Sequence, residues 1–316
     1  MVADEYLLGR PSRISREAPV LILHFSGSFV RPGGATNTAY NLCRLGAMTR
    51  VVGVVGDDEM GRRLRQTLEQ EGMTTAGLIV DSSRPTSTKT RVLAKGIQEV
   101  QQQIVRIDRV DDSTIEGSLR DAMIDAVCRS IPELDALLVS DYENGVISQE
   151  VIDACLPRAR EHGLRVIVDS RGDLFRFKQV TAATPNQPEA ESTLQRSIKD
   201  ESDLDAAGAA LLEGMEAEAV LLTRGSEGIA LFERDRPPYK APISIANDNE
   251  VVDPTGAGDT VAAVFTLAIA SGATMRQAAY LGNVAGGEVV RRLGAATLTV
   301  QELAGGVQRT RLQPPD

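Results

Sequence analysis

Histidine is nearly absent from this 316-residue chain, which has only His24 and His162. That argues against a His-rich metal centre and against a His-based catalytic triad. Cysteine is almost as sparse. Cys43, Cys128 and Cys155 are odd in number and not in CxxC spacing, so buried thiols are expected rather than a disulfide frame or a zinc site. No apolar run approaches the ~18 residues needed to span a bilayer. The start, MVADEYLLGR, carries an acidic pair where a signal peptide has its basic n-region. Positive charge is also short: the net charge is −10 and there are five lysines. A nucleic-acid or anionic-membrane partner would call for a basic face, so neither is expected. A soluble cytoplasmic protein is. No internal repeat or low-complexity tract is visible, and the absence of any GxxxxGK sequence excludes a P-loop nucleotide site.

What remains has the composition of an ordinary globular protein, 42% hydrophobic and 25% charged. Apolar runs closed by turn residues read as buried parallel strands at 49–56, 136–141, 165–170 and 219–225. Between them lie helical patterns such as TNTAYNLCRLG, EMGRRLRQTLEQEG, EVIDACLPRAREHG and DLDAAGAALLEG. The alternation predicts a doubly wound α/β sheet. Ligands of such folds bind beyond the carboxyl ends of the strands, which puts GDDE, SDYENG, DSRGD, TPNQPE and TRGSEG on one rim. Two polar, extended segments, 7–32 and 77–109, interrupt the alternation and suit a small β lid over that rim. A single domain over 1–316 is expected.

The junction DPTGAGDT (253–260) follows a strand-like stretch, ISIANDNEVV, and opens a small-residue helix. A helix starting near Gly256 presents free first-turn amides and the positive end of its dipole, a ready site for phosphate. Its glycines allow close backbone approach. The same letters suit an ordinary strand-to-helix turn with Asp259 as a plain N-terminal acid.

DPTGAGDT resembles the C-terminal signature of the PfkB/ribokinase family of sugar kinases. Further elements recur in the family's order: RPGGATNTAYNLCRLG, TPNQPEAE, LLTRGSEGIALF and AAYLGNVAGGEVV. The resemblance implies a ribokinase-like three-layer αβα fold and transfer of phosphate from ATP with Mg²⁺, a monovalent cation being a further possibility. It implies Asp259 as general base, with the amides of Gly256, Ala257 and Gly258 as anion hole. It puts Gly33, Gly34 and Asn37 at the sugar, and Asn186, Thr223, Arg224, Gly225, Gly228 and Asn283 near the nucleotide. Glu189 would act on Mg²⁺ through water. Each shorter element on its own also reads as a simple turn, hairpin or helix start.

SRISREAPV, KTRVL, RID and SDYENGVIS are similar to one branch, the kinases of D-glycero-D-manno-heptose 7-phosphate, which phosphorylate the anomeric hydroxyl for lipopolysaccharide core synthesis. That likeness implies Asp4 and Asp141 as substrate contacts. A phosphorylated substrate needs cations, and Arg13, Lys89, Arg91 and Arg106 lie in or beside the lid segments; solvated surface charge is the competing reading of each. Three departures stand out. The family's opening strand and Gly-Asp have no counterpart before Asp4, which implies a truncated or mis-assigned start or a lost central strand. Asn144 replaces a lysine and Ser170-Arg171 a Pro-Lys. GIQEVQQQ (96–103) lengthens the lid turn. Some members of the branch carry a nucleotidyltransferase domain, for which no room is expected here. The alternatives are a kinase for another sugar or sugar phosphate, and a binding protein derived from a kinase without turnover. Exposed lid edges and the family together imply a homodimer.

Overall fold

The computed structural model describes residues 1–95, 101–244, 251–292 and 294–315. The chain opens with β1 (Val2–Ile14), β2 (Leu21–Gly33), α1 (Ala35–Arg44), β3 (Arg50–Gly56), α2 (Glu59–Gln70), β4 (Thr74–Asp81), β5 (Ser87–Lys95) and β6 (Gln101–Arg109). It continues through α3 (Gly117–Ser130), β7 (Ala136–Asp141), α4 (Gln149–Glu161), β8 (Arg165–Ser170), β9 (Ala182–Ala183), α5 (Gln187–Leu194) and α6 (Glu201–Met215). The last elements are β10 (Ala219–Thr223), β11 (Ile229–Glu233), β12 (Tyr239–Ala241), α7 (Ala257–Ala270), α8 (Met275–Val289) and α9 (Val300–Arg309).

The main sheet runs β12-β11-β10-β9-β8-β7. Strands β7 to β10 are parallel; β11 pairs antiparallel with β10, and the edge strand β12 antiparallel with β11. Side chains alternate along a strand, so the uninterrupted apolar runs supply two cores. Val166, Val168, Val220 and Leu222 face the helices α4 and α6, while Ile167, Leu221 and Leu231 pack against Val261, Phe265 and Ala278 of α7 and α8. This is the three-layer helix–sheet–helix arrangement expected from the alternation. Among the described residues no helix is long and apolar enough to cross a membrane.

The lid is a separate sheet, β2-β1-β5-β6, in which β1 runs antiparallel to β2 and parallel to β5. Its boundaries correct the sequence reading at both ends. Thr74–Asp81 pairs with β3, so residues 77–81 belong to a two-stranded sheet of the main body, and the second lid segment starts at Ser87. The first lid strand begins at Val2 and carries Asp4, so Asp4 has a strand to hold it. The main sheet is nonetheless interrupted: β3-β4 and β7 are not joined by any strand among the described residues. Most of the lengthened lid turn (96–100) and most of the extended stretch before Asp253 (245–250) lie outside the described residues.

One local device fixes the lid to the body. Asp58 caps α2 through the Gly61 amide at 2.7 Å and also accepts from the Thr86 amide and hydroxyl at 2.8 and 2.7 Å. That double use pins the residue before β5, and with it the phase of Lys89 and Arg91.

Candidate active site

The turn at Gly256 has the conformation its residues require. Gly256 sits at φ 80°, and a Cβ there would stand 2.8 Å from Asn37 Nδ2, so both the backbone angle and the neighbour demand glycine. Asp253 braces the loop by accepting from the Thr255 and Gly294 amides, each at 2.9 Å. The Ala257 amide donates to the Pro254 carbonyl at 3.2 Å, whereas no carbonyl among the described residues accepts from the Gly256 or Gly258 amide. Of the three amides expected to form an anion hole, those of Gly256 and Gly258 are thus the better placed to meet an anion, at the positive end of the α7 dipole.

Asp259 lies in the first turn of α7 and is only 7% exposed. Asn37 Nδ2 donates to one carboxylate oxygen at 2.7 Å, and the Tyr142 hydroxyl donates to the other. Burial pushes the Asp259 carboxyl above its ordinary range, while these two bonds and the Arg171 guanidinium pull it back. Tyr142 is held well above the usual phenol range by burial and then by the Asp259 charge, so it remains a donor. The Arg171 guanidinium lies 4.2 Å from the Tyr142 ring centroid, and Lys89 Nζ lies 5.8 Å from it.

A polar cavity of about 390 Å³ opens in front of this carboxylate, lined by Asp4, Gly34, Lys89, Arg91, Arg106 and Asp141 among others. Strand register explains the lid half. Asp4 is paired with Lys89 across β1–β5, and Arg91 with Arg106 across β5–β6. Period-2 alternation then puts Lys89 and Arg91 on one face. Arg91 reaches Asp4 at 3.5 Å, and the other Asp4 oxygen is buried without a partner. Burial raises the Asp4 carboxyl and lowers the Lys89 ammonium. An unpaired buried acceptor beside crowded cations is a pocket made for a hydroxylated, anionic ligand.

The other half is the rim of the main sheet. Asp141, Asp169, Ser170, Thr184, Asn186 and Thr223 all sit at or just beyond carboxyl ends of strands and all line the cavity. Asp169 is pushed up to about 7 by burial, then by the Asp259 and Glu189 charges. Burial also raises Glu189, whose carboxylate closes a capping box with Asn186. Among the described residues no cluster of three or more side chains is disposed to hold a metal ion alone. The carboxylate oxygens of Asp169 and Glu189, whose charges act on each other with Arg171 as the cation near both, do fit a hard cation that keeps most of its waters.

Several sequence-predicted residues lie elsewhere. Arg13 is exposed near the far end of β1, roughly 30 Å along the strand from Asp4 at ~3.3 Å per residue, and spends its guanidinium on the Ile14 carbonyl. Gly33 backs the Asp4 carboxylate rather than facing the cavity, since a Cβ there would meet Asp4 Cγ at 2.9 Å. Asn37 stands behind Asp259 and orients it. Arg224 is tied to Glu201 at 3.0 Å and to Glu227, beside the turn holding Gly225 and Gly228. None of these three lines the cavity. Asn283 is buried and donates to the Pro242 carbonyl at 2.7 Å, a bond that ties α8 to the chain after β12. Asp141 is in the cavity but is held by Ser170, by Arg176 and by the Glu143 amide.

A profile of the pfkB family of carbohydrate kinases matches residues 10–302. The chain belongs to that family. Its fold is ribokinase-like: phosphofructokinase-2 from Escherichia coli in complex with fructose-6-phosphate superposes with a TM-score of 0.74 at 19% identity, covering 98% of this chain and 96% of that one. The Arabidopsis thaliana ribokinase complexed with ribose and ATP gives 0.72 at 19% identity, with the same coverages of 98% and 96%. Among relatives, the bifunctional protein HldE of Citrifermentans bemidjiense is 41% identical over 308 residues, 97% of this chain and 62% of that protein. HldE of Geobacter metallireducens is 39% identical over 308 residues, 97% of this chain and 61% of the relative. The chain thus spans about three-fifths of the length of these relatives.

Family membership did not depend on the residues that sequence reasoning passed over. Tyr142 and Asp169 stand inside the quoted rim stretches SDYENG and DSRGD, yet neither was singled out. Their signal was positional: each is the polar residue at or just past the carboxyl end of a buried parallel strand. What it lacked was any indication that Tyr142 would turn toward a residue 117 positions away.

Proposed function

We propose that this protein is an ATP-dependent sugar kinase that phosphorylates the anomeric hydroxyl of a heptose 7-phosphate to the 1,7-bisphosphate. The observation that carries the reading is the position of Asp259, buried at the end of a polar cavity whose lid side brings Lys89, Arg91 and Arg106 together, and in the first turn of a helix whose Gly256 and Gly258 amides meet no carbonyl among the described residues. In this reading Asp259 accepts the proton of the acceptor hydroxyl, whose oxygen forms the new P–O bond while the bond to ADP breaks. The Gly256 and Gly258 amides meet the charge on the transferring group. Mg²⁺, when bound, screens the phosphates; Asp169 and Glu189 would hold its water shell, and Asn186 and Thr223 border the nucleotide end. Lys89, Arg91 and Arg106 recognise the acceptor's own phosphate, and the unpaired Asp4 oxygen accepts from a sugar hydroxyl. The resemblance to heptose 7-phosphate kinases and the 41% identity to a protein named HldE support this acceptor over other sugars.

ADP release measured over a panel of sugars and sugar phosphates tests the proposal. The expected result is turnover with heptose 7-phosphate well above that with fructose 6-phosphate or ribose. Preference for either of the latter refutes the acceptor, and no turnover with any refutes the kinase.

The lid also supports a homodimer. Leu21, Phe25 and Phe29 of β2 and Ile104, Val105 and Ile107 of β6 are exposed, Phe25 by 72%. Apolar side chains on the outer strands of a lid are a surface that a second copy would cover. Light scattering that gives a monomer mass at micromolar concentration refutes it.

A further inference from the structure

Both oxygens of the Asp259 carboxylate accept hydrogen bonds from the protein's own side chains, and the two donors stand differently. Asn37, buried on α1, donates to one oxygen at 2.7 Å and takes no part in the cavity wall. The Tyr142 hydroxyl donates to the other oxygen, and Tyr142 is part of that wall. Asn37 therefore braces the base from behind. Tyr142 covers it from the side on which a reacting hydroxyl must arrive.

The backbone under Tyr142 is fixed. Asp141 accepts from the Glu143 amide at 3.0 Å and from the Ser170 hydroxyl at 3.1 Å, and Arg176 lies 3.6 Å from its carboxylate. Glu143 takes φ 56°, and a Cβ on Gly145 would stand 2.1 Å from the Ser113 carbonyl oxygen. The ring is held more loosely. Gly34 lies against it, since a Cβ there would come within 3.4 Å of Tyr142 Cε2. The Arg171 guanidinium is 4.2 Å from the ring centroid and Lys89 Nζ 5.8 Å. Neither cation makes a salt bridge among the described residues, so the ring is what both lean on. A cation over a ring is held less firmly than one in a charge-assisted hydrogen bond to phosphate, so an anionic ligand takes such cations away. The turn is also joined to the strand that carries Lys89, because Asn144 Nδ2 donates to Ser87 Oγ at 3.4 Å.

We propose that Tyr142 determines specificity against water: its hydroxyl occupies the Asp259 oxygen that Asn37 leaves open until a phosphorylated acceptor draws Lys89 and Arg171 off the ring. The inference rests on the kinase reading above. Water that reached the base would lose its proton to the carboxylate while its oxygen bonded the terminal phosphorus of ATP. The bond to ADP would break, and ATP would be spent as ADP and inorganic phosphate. The Tyr142 hydroxyl blocks that course without entering it, since burial and the Asp259 charge keep the phenol protonated. Release depends on the acceptor's phosphate, so base and acceptor become available together.

Acceptor-independent ADP release and phosphate transfer to heptose 7-phosphate, measured side by side in the parent and in Tyr142→Phe near pH 8, test the proposal. Phenylalanine keeps the ring and removes only the hydroxyl. The ratio of hydrolysis to transfer is expected to rise about tenfold or more. An unchanged or lower ratio in a folded variant overturns the proposal, because a hydroxyl that only positioned Asp259 would slow both reactions together. NMR of the parent labelled at the tyrosine Cε carbons gives a readout without nucleotide or turnover. The chain has five tyrosines, and the Tyr142 signal is the one missing from Tyr142→Phe. Should that variant not fold, the signal is identified by its shift in Arg171→Met, which takes the guanidinium off the ring. It is expected to move when heptose 7-phosphate is added. An unmoved signal at saturation, in a parent that transfers phosphate to this sugar, overturns the proposal. The two readings fail separately: a parent that phosphorylates no sugar overturns the kinase and the inference together, whereas normal transfer with an unchanged ratio overturns the inference alone.

Discussion

The two halves of the candidate active site are built differently. The Gly256 turn comes from eight consecutive residues, and its geometry is set by one left-handed glycine, one bracing aspartate and a helix start. The lid half draws Asp4 from β1, Lys89 and Arg91 from β5 and Arg106 from β6, and their convergence depends on strand register. The difference teaches where each half is vulnerable. On the proposed function, chemistry at the turn is local and should fail when one side chain changes. Recognition at the lid, on the same proposal, is distributed and should weaken by degrees.

The largest effect should come from Asp259→Asn. Loss of a positioned base lowers kcat by about 10²–10⁴-fold, with KM nearly unchanged and Tm unaffected or raised. A variant that retains parental kcat would detach the turn from the chemistry. Next, Arg91→Met removes a cation from the lid and strands Asp4 without its partner. Charge-assisted bonds are worth about 1.5–3 kcal/mol, so kcat/KM for a phosphorylated acceptor should fall about 10–100-fold, mostly in KM. Arg13→Met, on the same sheet but outside the cavity, should leave both constants alone. Equal losses in the two variants would erase the distinction between cavity and surface cations.

Tyr142→Phe links the halves, because Tyr142 touches Asp259 while lying against Lys89 and Arg171. Its hydroxyl stabilises the charged carboxylate, so removing it raises the Asp259 pKa. Since the base must be ionised, the acid limb of the pH–rate profile moves to higher pH, by about one unit or more. An unmoved limb would make Tyr142 a packing residue only. The smallest effect is on stability. The folded Asp169 carboxyl sits at about 7, above its ordinary 3.8, so the native state keeps a proton that the unfolded chain has released between those values. Its contribution is complete below the ordinary pKa and is lost as pH rises through about 7. Asp169→Asn, which can keep the Thr184 hydroxyl bond, should match the parent in Tm near pH 4 and exceed it at pH 8. A variant less stable at pH 8 would mean that Asp169 is already neutralised by something the fold provides.

Much of this was legible in the chain. The alternation of buried runs with Gly-terminated helices implied the layered sheet, and DPTGAGDT implied a glycine turn that opens a helix. Both are local patterns, carried by backbone propensity and hydrophobic periodicity. Lys89 and Arg91 were legible for a related reason, since two cations at period 2 in a β segment must share a face. Arg13 also lies in a polar extended segment, yet it falls outside the cavity, because nothing local tells how far along β1 the cavity extends. Asn283 and Arg224 look like free polar groups in sequence but are committed to Pro242 and to Glu201 and Glu227 in the fold.

By itself the sequence determined the order of strands and helices, the glycine turn and the apolar character of every buried run. Only the tertiary structure decided which polar side chains meet. It turned Asn37 from a pocket wall into a brace for Asp259, brought Tyr142 onto the same carboxylate, and left an open slot between β3 and β7. The physical reason is that a propensity or a period is a property of neighbours in the chain. A hydrogen bond across 222 residues, or a gap between two strand edges, exists only once register and layer packing have fixed distances that no local pattern specifies.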